Sequence, residues 1–409
     1  MPDAILADYD RRITPQGLHV VSETLRPLVA KAASLREGPS IPPRQWLYGS
    51  SILRQYVTVL VAPGGVGKTA WSIGAGMSLA LGKGLIGDDV HARVNVLFCS
   101  LEDPEDEFDR RIAAAMQRYE VEAKHLTDRI WNINGRDRRL VIAALDTDGL
   151  TVCYPDKDAM IDLIREHNIG VVFVDPFINS HELEENSNPH INAAARAWAE
   201  IANETESAIV LVHHTRKGAV AGDIDSGRGA SALIGACRVG LTLSVMSPDD
   251  AKSFGLSERE RRLHVRLDDA KANLAPPANK ARWLRLASIP LGNCTRDYPN
   301  GDNVQAIEEW EPPSVWRDHT PEQLNEVLDA IAEGPAPGSR YAPHQRGRTG
   351  RRWAGRVVMD MLDVNDQQAK QIVGQWLKTG LLFEEEYRDP STRKMVQGVS
   401  VDDEKRPTI

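Results

Sequence analysis

The sequence has no long hydrophobic run. Its longest apolar stretches are the length of a strand, whereas a membrane-spanning helix needs about 20 apolar residues. The N-terminal MPDAILADYDRRITPQ is polar and acidic and lacks the basic-then-apolar layout of a secretory signal. Cysteine is scarce: Cys99, Cys153, Cys237 and Cys294 are scattered with no CxxC pair. Cys99 and Cys237 lie in apolar stretches and are expected to be reduced core residues of a cytoplasmic protein. There is no excess of positive charge, since the formal net charge is −9. A surface coated in basic residues is thereby excluded, and any nucleic-acid contact must be local or arise where subunits converge. No repeat of solenoid period occurs. What remains is a chain of 409 residues, 42% hydrophobic and 26% charged, ordinary for a soluble globular protein and long enough for two or three domains.

The most informative stretch is Val57–Ala75, VTVLVAPGGVGKTAWSIGA. Val57, Val59, Leu60 and Val61 predict a buried strand. Pro63, Gly64, Gly65, Val66, Gly67, Lys68 and Thr69 follow as a glycine loop, and the Ala/Ile-rich residues from Ala70 onward predict a helix. Strand, glycine loop and helix in that order form a phosphate cradle. Glycines let successive N–H groups turn inward, and the new helix points its positive end at the same spot. Lys68 would reach the β- and γ-phosphates of a nucleotide, and the Thr69 hydroxyl would sit on Mg²⁺. The pattern GxxxxGK[ST] is met except at its first position, where Ala62 replaces Gly.

Residues 1–44 precede this core as an arm, with Val20, Val21, Leu25, Leu28, Val29 and Leu35 at helical spacing until Pro42-Pro43 break it. Trp46 and Tyr48 are candidates for core packing or for stacking on a base. A second strand, Arg93–Ser100, ends at Leu101-Glu102-Asp103. Glu102 is placed to orient an attacking water, and Asp103 to cap the following helix, which ends near Tyr119. Gly170-Val-Val-Phe-Val-Asp175 is an apolar strand whose carboxylate would sit beside the phosphate loop and hold the Mg²⁺ water shell. The loop SHELEENSNPHIN is acidic and is expected to be solvated or at an interface. Ala208–His214 is another buried strand, ending in two histidines. Neighbours in a strand point to opposite faces, which disfavours one shared metal ion. A polar switch at the γ-phosphate or a satisfied core histidine are the readings left open. Thr215–Ser231 is rich in Gly and cations, including Arg216, Lys217 and Arg228, the composition of a mobile loop.

The order APGGVGKT, SLEDPEDEFDRR, VVFVDP, IVLVHHTRKG, GRGASALIGACR and RLDDAKANLAPP resembles RecA-like ATPases. Within them it is most similar to the plasmid RepA-type hexameric replicative helicases, close to the DnaB-type core. The resemblance implies an α/β fold: a RecA-like P-loop NTPase core over residues 45–290, with a mostly parallel sheet flanked by helices. It implies ATP and Mg²⁺, with ATP held by Gly64 through Ala70 and the metal by Thr69 and the Walker B acid Asp175. It also implies Glu102 as catalytic base, His214 as γ-phosphate sensor, and Arg238 as the arginine finger offered to the next subunit. Lys271 would accompany that finger, with Arg228 as the alternative finger. Asp175 is followed by Pro176 rather than a second acid, so the base has to come from Glu102 or elsewhere.

Residues 291–319 are Pro/Gly/Asn-rich and are expected to be a linker. Thr320-Pro321 opens a helix to about Glu333. Helices over 352–362 and 366–379 and strands over 381–387 and 395–401 follow, which resembles a small winged-helix-like α+β domain over 320–409. Arg340, Arg346, Arg348, Arg351, Arg352 and Arg356 would give it a basic face for duplex or forked DNA, with protein docking the other reading. Gln367, Gln368, Lys370 and Gln371 are the candidate base-reading side chains. The whole implies a homo-oligomeric, six-membered ring that hydrolyses ATP and moves along single-stranded DNA as a replicative-type helicase. Arg216, Lys217 and Arg228 would line its pore, with replication proteins as further partners and no membrane. The other functions open to this core are an ATP-switched DNA-binding regulator and a recombination mediator.

Overall fold

The computed structural model describes residues 30–149, 151–214, 230–275, 281–312, 319–345 and 352–407. The chain divides into two units, Met1–Arg44 and Gln45–Ile409. In the first, residues 30–37 carry no regular structure, Gly38–Ser40 form a single 3-10 turn, and Leu35 is 97% exposed. The helical stripe expected through Leu35 therefore does not include it. Its other members, Val20 to Val29, lie outside the described residues.

The second unit opens with a short antiparallel pair, β1 (Trp46–Tyr48) and β2 (Ile52–Leu53). Tyr48 is fully buried edge-on to Trp71, so it is a core residue and not a base-stacking one. The strands that follow are β3 (Val57–Ala62), β4 (Asn95–Ser100), β5 (Ile130–Asn134), β6 (Ala143–Leu145), β7 (Val152–Cys153), β8 (Ile169–Asp175), β9 (His181–Glu182) and β10 (Ala208–His214). They continue with β11 (Val239–Val245), β12 (His264–Ala272), β13 (Arg282–Pro290) and β14 (Asn303–Glu309). Among the described residues one sheet has nine strands in the order β14-β13-β12-β11-β3-β10-β8-β4-β5. From β11 to β5 every pairing is parallel, and β12 to β14 add antiparallel strands at one edge.

Both faces of the parallel part are covered, which is why its strands are continuous apolar runs without polar alternation. Along β3, Leu60 and Ala62 enter one core, and Val57, Val59 and Val61 enter the other. The first core takes Trp71, Met77 and Leu79 from α1 (Lys68–Leu81) and Phe108 from α2 (Glu105–Tyr119). The second takes Ile161 and Ile164 from α3 (Lys157–Glu166) and Trp198 and Ile201 from α4 (Asn188–Thr205). Each such side chain contributes roughly 1.5–3 kcal/mol when fully buried. The acidic segment expected as a loop is partly regular: His181 and Glu182 pair with β6, and α4 already starts at Asn188 with Pro189 in its first turn.

The antiparallel edge curls over α2. Tyr119 Oη donates to the Ile307 carbonyl at 2.6 Å, and the nearly buried Glu308 pairs with both Arg118 and Arg285. Residues 303–309 lie in the segment expected as a linker. They form the edge strand instead, because Val304, Ala306 and Ile307 turn into the core while Asn303, Gln305 and Glu309 face out.

After α5 (Ala230–Ala236), α6 (Pro248–Ser253) and α7 (Glu258–Arg261), the C-terminal region adds α8 (Pro321–Glu333), α9 (Ala354–Leu362), α10 (Asp366–Thr379) and the hairpin β15 (Leu382–Arg388)–β16 (Met395–Val401). Its own core gathers Leu328, Ile331, Trp353, Val358, Ile372, Trp376 and Leu382. Capping boxes at Thr320/Gln323 and Asn365/Gln368 start α8 and α10. Helix α9 begins at Ala354 rather than Arg352, because Arg352 is held by the buried Asp389 of the hairpin turn. No described helix is long and apolar enough to cross a membrane.

Helix α1 lies close on the sheet because it carries glycine where β4 presents a ring. A Cβ on Gly76 would stand 2.4 Å from Phe98 Cζ, and Phe98 is itself stacked on Phe173 at 5.2 Å. Overpacking costs about 1–3 kcal/mol, against about 1 kcal/mol gained in helix propensity. Gly76→Ala is therefore expected to lower the urea midpoint with the slope unchanged; a raised midpoint would show that the rings can yield.

Candidate nucleotide site

Strand β3 sits centrally, between β10 and β11, and ends at Ala62 where the chain leaves the sheet. Gly65 and Gly67 take positive φ of 78° and 90°, which a side chain would strain. Gly67 is the N-cap of α1 and faces Leu286 of β13 so closely that a Cβ would meet its Cδ2 at 2.6 Å. Val66 is buried, whereas Gly64 and Gly65 are exposed at the rim. Lys68 is 5% exposed and donates to the carbonyls of Pro63 at 2.7 Å and Ala62 at 3.2 Å. Its ammonium is thus folded back into the loop with weak neutral acceptors. Burial lowers its pKa, and the carboxylates of Asp175 and Glu102 pull the other way.

Strands β8 and β4 deliver the acids. Thr69 Oγ1 donates to Asp175 Oδ2 at 2.6 Å, tying the first turn of α1 to the end of β8. Burial raises the Asp175 pKa, opposed by the Thr69 hydrogen bond and by His214, Lys68 and Arg111. Glu102 joins Thr69 and Asp175 around one small cavity between β4, β8 and α1. Asp103 does not cap α2. The N-cap is Pro104, and the Asp103 carboxylate instead pairs with Arg111 at 2.7 Å, a charge partner that outweighs a cap available from the backbone alone.

Strand β10 ends level with Ala62, so its last residue reaches the same mouth. His214 lines an open cleft of about 990 Å³ with Gly65, Gly67, Lys68, Thr69 and Ala70. Burial and Lys68 lower its pKa, against Asp175 and Glu102. His213 points to the other face, 3% exposed and edge-on to Phe177. The structure thus brings Gly65, Gly67, Lys68, Thr69, Ala70, Glu102, Asp175 and His214 to one end of the sheet.

Arg238 and Lys271 are not there. Val239 pairs with Thr58, and Lys271 with Gly240, which pairs with Val59, so both cations sit near the start of β3, roughly 10–16 Å of strand below the phosphate loop. Lys271 Nζ donates to the carbonyls of Ile234 and Gly235, both at 2.9 Å, closing the end of α5. Arg238 is exposed, with no side-chain partner among the described residues. Arg216, Lys217 and Arg228 lie outside the described residues.

Sequence reasoning missed one wall of the cleft. Glu107, Arg110 and Arg111 of α2 and Asp302, Asn303, Val304 and Gln305 at the start of β14 line it opposite the loop. The arginine pair in SLEDPEDEFDRR was a visible signal without an assigned role. Residues 302–305 gave none, because only the curl of the antiparallel edge brings them over Gly67.

The C-terminal candidates are largely engaged. Gln368 is used in the capping box of α10 and Lys370 pairs with Asp366 at 2.6 Å. Gly255, just after α6, packs against Asn365 at the same helix end. Of the arginines, Arg340 pairs with Glu385, Arg352 with Asp389 and Arg356 with Asp360. They do not form a free basic face, and Arg346, Arg348 and Arg351 lie outside the described residues.

The AAA domain family matches residues 23–220. Among solved structures, the chain is similar to a KaiC-like protein of the hyperthermophilic archaeon Pyrococcus horikoshii OT3, at 13% identity over 66% of this chain and 100% of that one, TM-score 0.40. It is similar to a DnaB-like replicative helicase at 13% identity over 58% of this chain and 56% of that one, TM-score 0.41. It is also similar to the RadB recombinase at 11% identity over 63% and 92%, TM-score 0.38. The large sheet with its phosphate loop is an α/β fold, mostly parallel and flanked by helices on both faces.

The buried histidine beside the site gives a pH signature. Burial lowers the His213 pKa to about 4 and that of His181 to about 4, against about 6.5 in an unfolded chain. Between those values the unfolded chain binds more protons, so stability is full above about pH 6.5 and falls as pH drops toward 4. His213→Leu is expected to flatten part of this fall in urea midpoints taken from pH 7.5 to 5. An unchanged slope would mean that His213 is not held neutral by the fold.

Proposed function

We propose that this protein is an ATP-hydrolysing DNA motor, a replicative-type helicase that works as a ring on single-stranded DNA. One observation carries the reading: Lys68, Thr69 and His214 in the cleft and Glu102 and Asp175 in the cavity that adjoins it at Thr69 gather at one end of the sheet, while Arg238, unpaired among the described residues, stands at the opposite end. An arginine there cannot serve its own phosphate loop. It serves the loop of a neighbour docked head to tail, an arrangement that closes into a ring when the rotation per subunit allows. The order of the six sequence motifs supports the same reading, with six subunits as the proposed number.

In this reading Gly64 through Ala70 hold the triphosphate, with Lys68 leaving its backbone carbonyls for the β- and γ-oxygens, a far better acceptor for an ammonium. Thr69 and Asp175 fit Mg²⁺, which would neutralise phosphate charge when bound. Their short hydrogen bond already sets a hydroxyl and a carboxylate oxygen side by side. Glu102 accepts the proton of the attacking water, and His214 at the end of β10 contacts the γ-phosphate and passes its presence to the segment that follows. Arg238 from the next subunit stabilises transition-state charge, so hydrolysis depends on ring geometry. Lys271 positions it by holding the end of α5. Arg216, Lys217 and Arg228 contact the DNA backbone, and residues 320–409 act as a winged-helix-like module for forked DNA or a replication partner. With Gln368 and Lys370 engaged, Gln367 and Gln371 are the first base-reading side chains to test.

Lys68→Ala is expected to abolish ATP turnover. Arg238→Ala is expected to lower it by about 10³-fold or more while leaving equilibrium nucleotide binding intact; normal hydrolysis by that variant sinks the finger assignment. A forked substrate separates the motor from the alternatives. Strand displacement that requires ATP is the expected result. Turnover stimulated by single-stranded DNA without displacement would point instead to a recombination mediator or an ATP-switched regulator.

A further inference from the structure

The wall opposite the phosphate loop contains an ion pair that links α2 to the start of β14. Arg110 Nε of α2 lies 3.2 Å from Asp302 Oδ2 at the start of β14, and both residues line the cleft with Gly65, Lys68 and Thr69. The arginine and the carboxylate are held very differently. Asp302 is built into the β13–β14 hairpin: its N–H donates to Asn293 Oδ1 at 2.8 Å, its carboxylate accepts from Asn293 Nδ2 at 2.7 Å, and its carbonyl accepts from Leu291 N at 2.9 Å. Arg110 has only one other partner among the described residues, Glu107 at 3.5 Å. The side chains of Arg110 and Asp302 are 36% and 49% exposed, so their attraction is screened and weak. A phosphate oxygen competes well with such a partner, because guanidinium and phosphate pair by two charge-assisted hydrogen bonds.

The charges of the cleft agree. Its ionised lining is Lys68, Arg110 and Arg111 against Glu107 and Asp302. Asp302 is the acid that a polyanion entering beside the loop would meet on the far wall, and Arg110 is the cation that neutralises it.

We propose that Arg110 is a ligand of the terminal phosphate in the same chain, and that Asp302 holds it in reserve until a nucleoside triphosphate takes its place. This rests on the nucleotide reading of the cleft given above. The exchange breaks the contact between α2 and the hairpin end at Asp302 when a triphosphate is bound, and restores it when the shorter diphosphate remains. Asp302 stays positioned by Asn293 throughout, so the latch is ready to close again. The nucleotide state is thereby passed to the antiparallel edge without any change in the parallel sheet.

The test uses the full chain, Mg²⁺, and equilibrium binding of AMP-PNP and ADP. Arg110→Gln is expected to weaken AMP-PNP binding about tenfold, the loss of one charge-assisted contact, and to change ADP binding by less than about threefold. Asp302→Asn is expected to tighten AMP-PNP by about threefold or more, since Arg110 no longer has to leave a carboxylate. In the double variant that gain is expected to vanish, because the two residues act on each other. Unchanged AMP-PNP affinity in Arg110→Gln overturns the proposal, as does a gain from Asp302→Asn that persists without Arg110. Lys68→Ala serves as the control for the site itself. If it binds AMP-PNP as well as the parent, the nucleotide reading of the cleft fails, an outcome distinct from the failure of Arg110 alone.

Discussion

The hydrogen bond between Thr69 and Asp175 depends on almost everything else in the core being in place. It requires β3 to end beside β10, with β8 next in the sheet, so that a loop leaving one strand meets a carboxylate at the end of another. It requires α1 to start at Gly67, with a backbone angle that only glycine takes without strain. It also requires α1 to lie close on the sheet, which Gly76 against Phe98 permits. The two apolar cores on either face of β3 fix these positions. The site is therefore a by-product of packing: the hydrophobic strands place the chain ends, and the polar residues occur where the strands stop.

The second constraint is the curl of the antiparallel edge. Glu308 collects two arginines, and Tyr119 reaches the backbone of β14, so the edge strand is pinned to α2 well away from the cleft. Its start at Asp302, held in the hairpin by Asn293 and Leu291, is what reaches over the phosphate loop. Strong, partly buried contacts tie the far part of β14 to α2, and only the weak exposed Arg110–Asp302 pair ties the near part to it. Movement on nucleotide binding is expected where the contacts are weak.

The parallel core was legible in the sequence because it is made of local signals. Ala208–His214 matches its expected bounds, since an apolar run of strand length carries its own boundary residues. Lys68, Thr69, Glu102, Asp175 and His214 were legible because each lies at a strand end or in the glycine loop. Residues 302–305 were not, because turn-forming composition around them hides a seven-residue strand whose burial depends on a helix far away in sequence. Asp103 was misassigned for a related reason: a cap is a local inference, and the nearby Arg111 on α2 supplied a stronger partner. The arginines of the C-terminal region looked like a basic face in sequence, where charge is visible but pairing is not. For Arg340 and Arg352 the carboxylate partners, Glu385 and Asp389 on the hairpin, are brought in only by the fold.

The central claim is that the ATPase site is shared, with the phosphate loop on one chain and Arg238 on the next. Mixing tests it most directly. Lys68→Ala and Arg238→Ala chains, each inactive alone, are combined and ATP turnover is measured across mixing ratios. In the mixture, an intact phosphate loop from an Arg238→Ala chain meets an intact Arg238 from a Lys68→Ala chain, so turnover is expected to reappear and to peak near equal proportions. No recovery at any ratio, in mixtures shown by mass to form joint assemblies, would contradict the account.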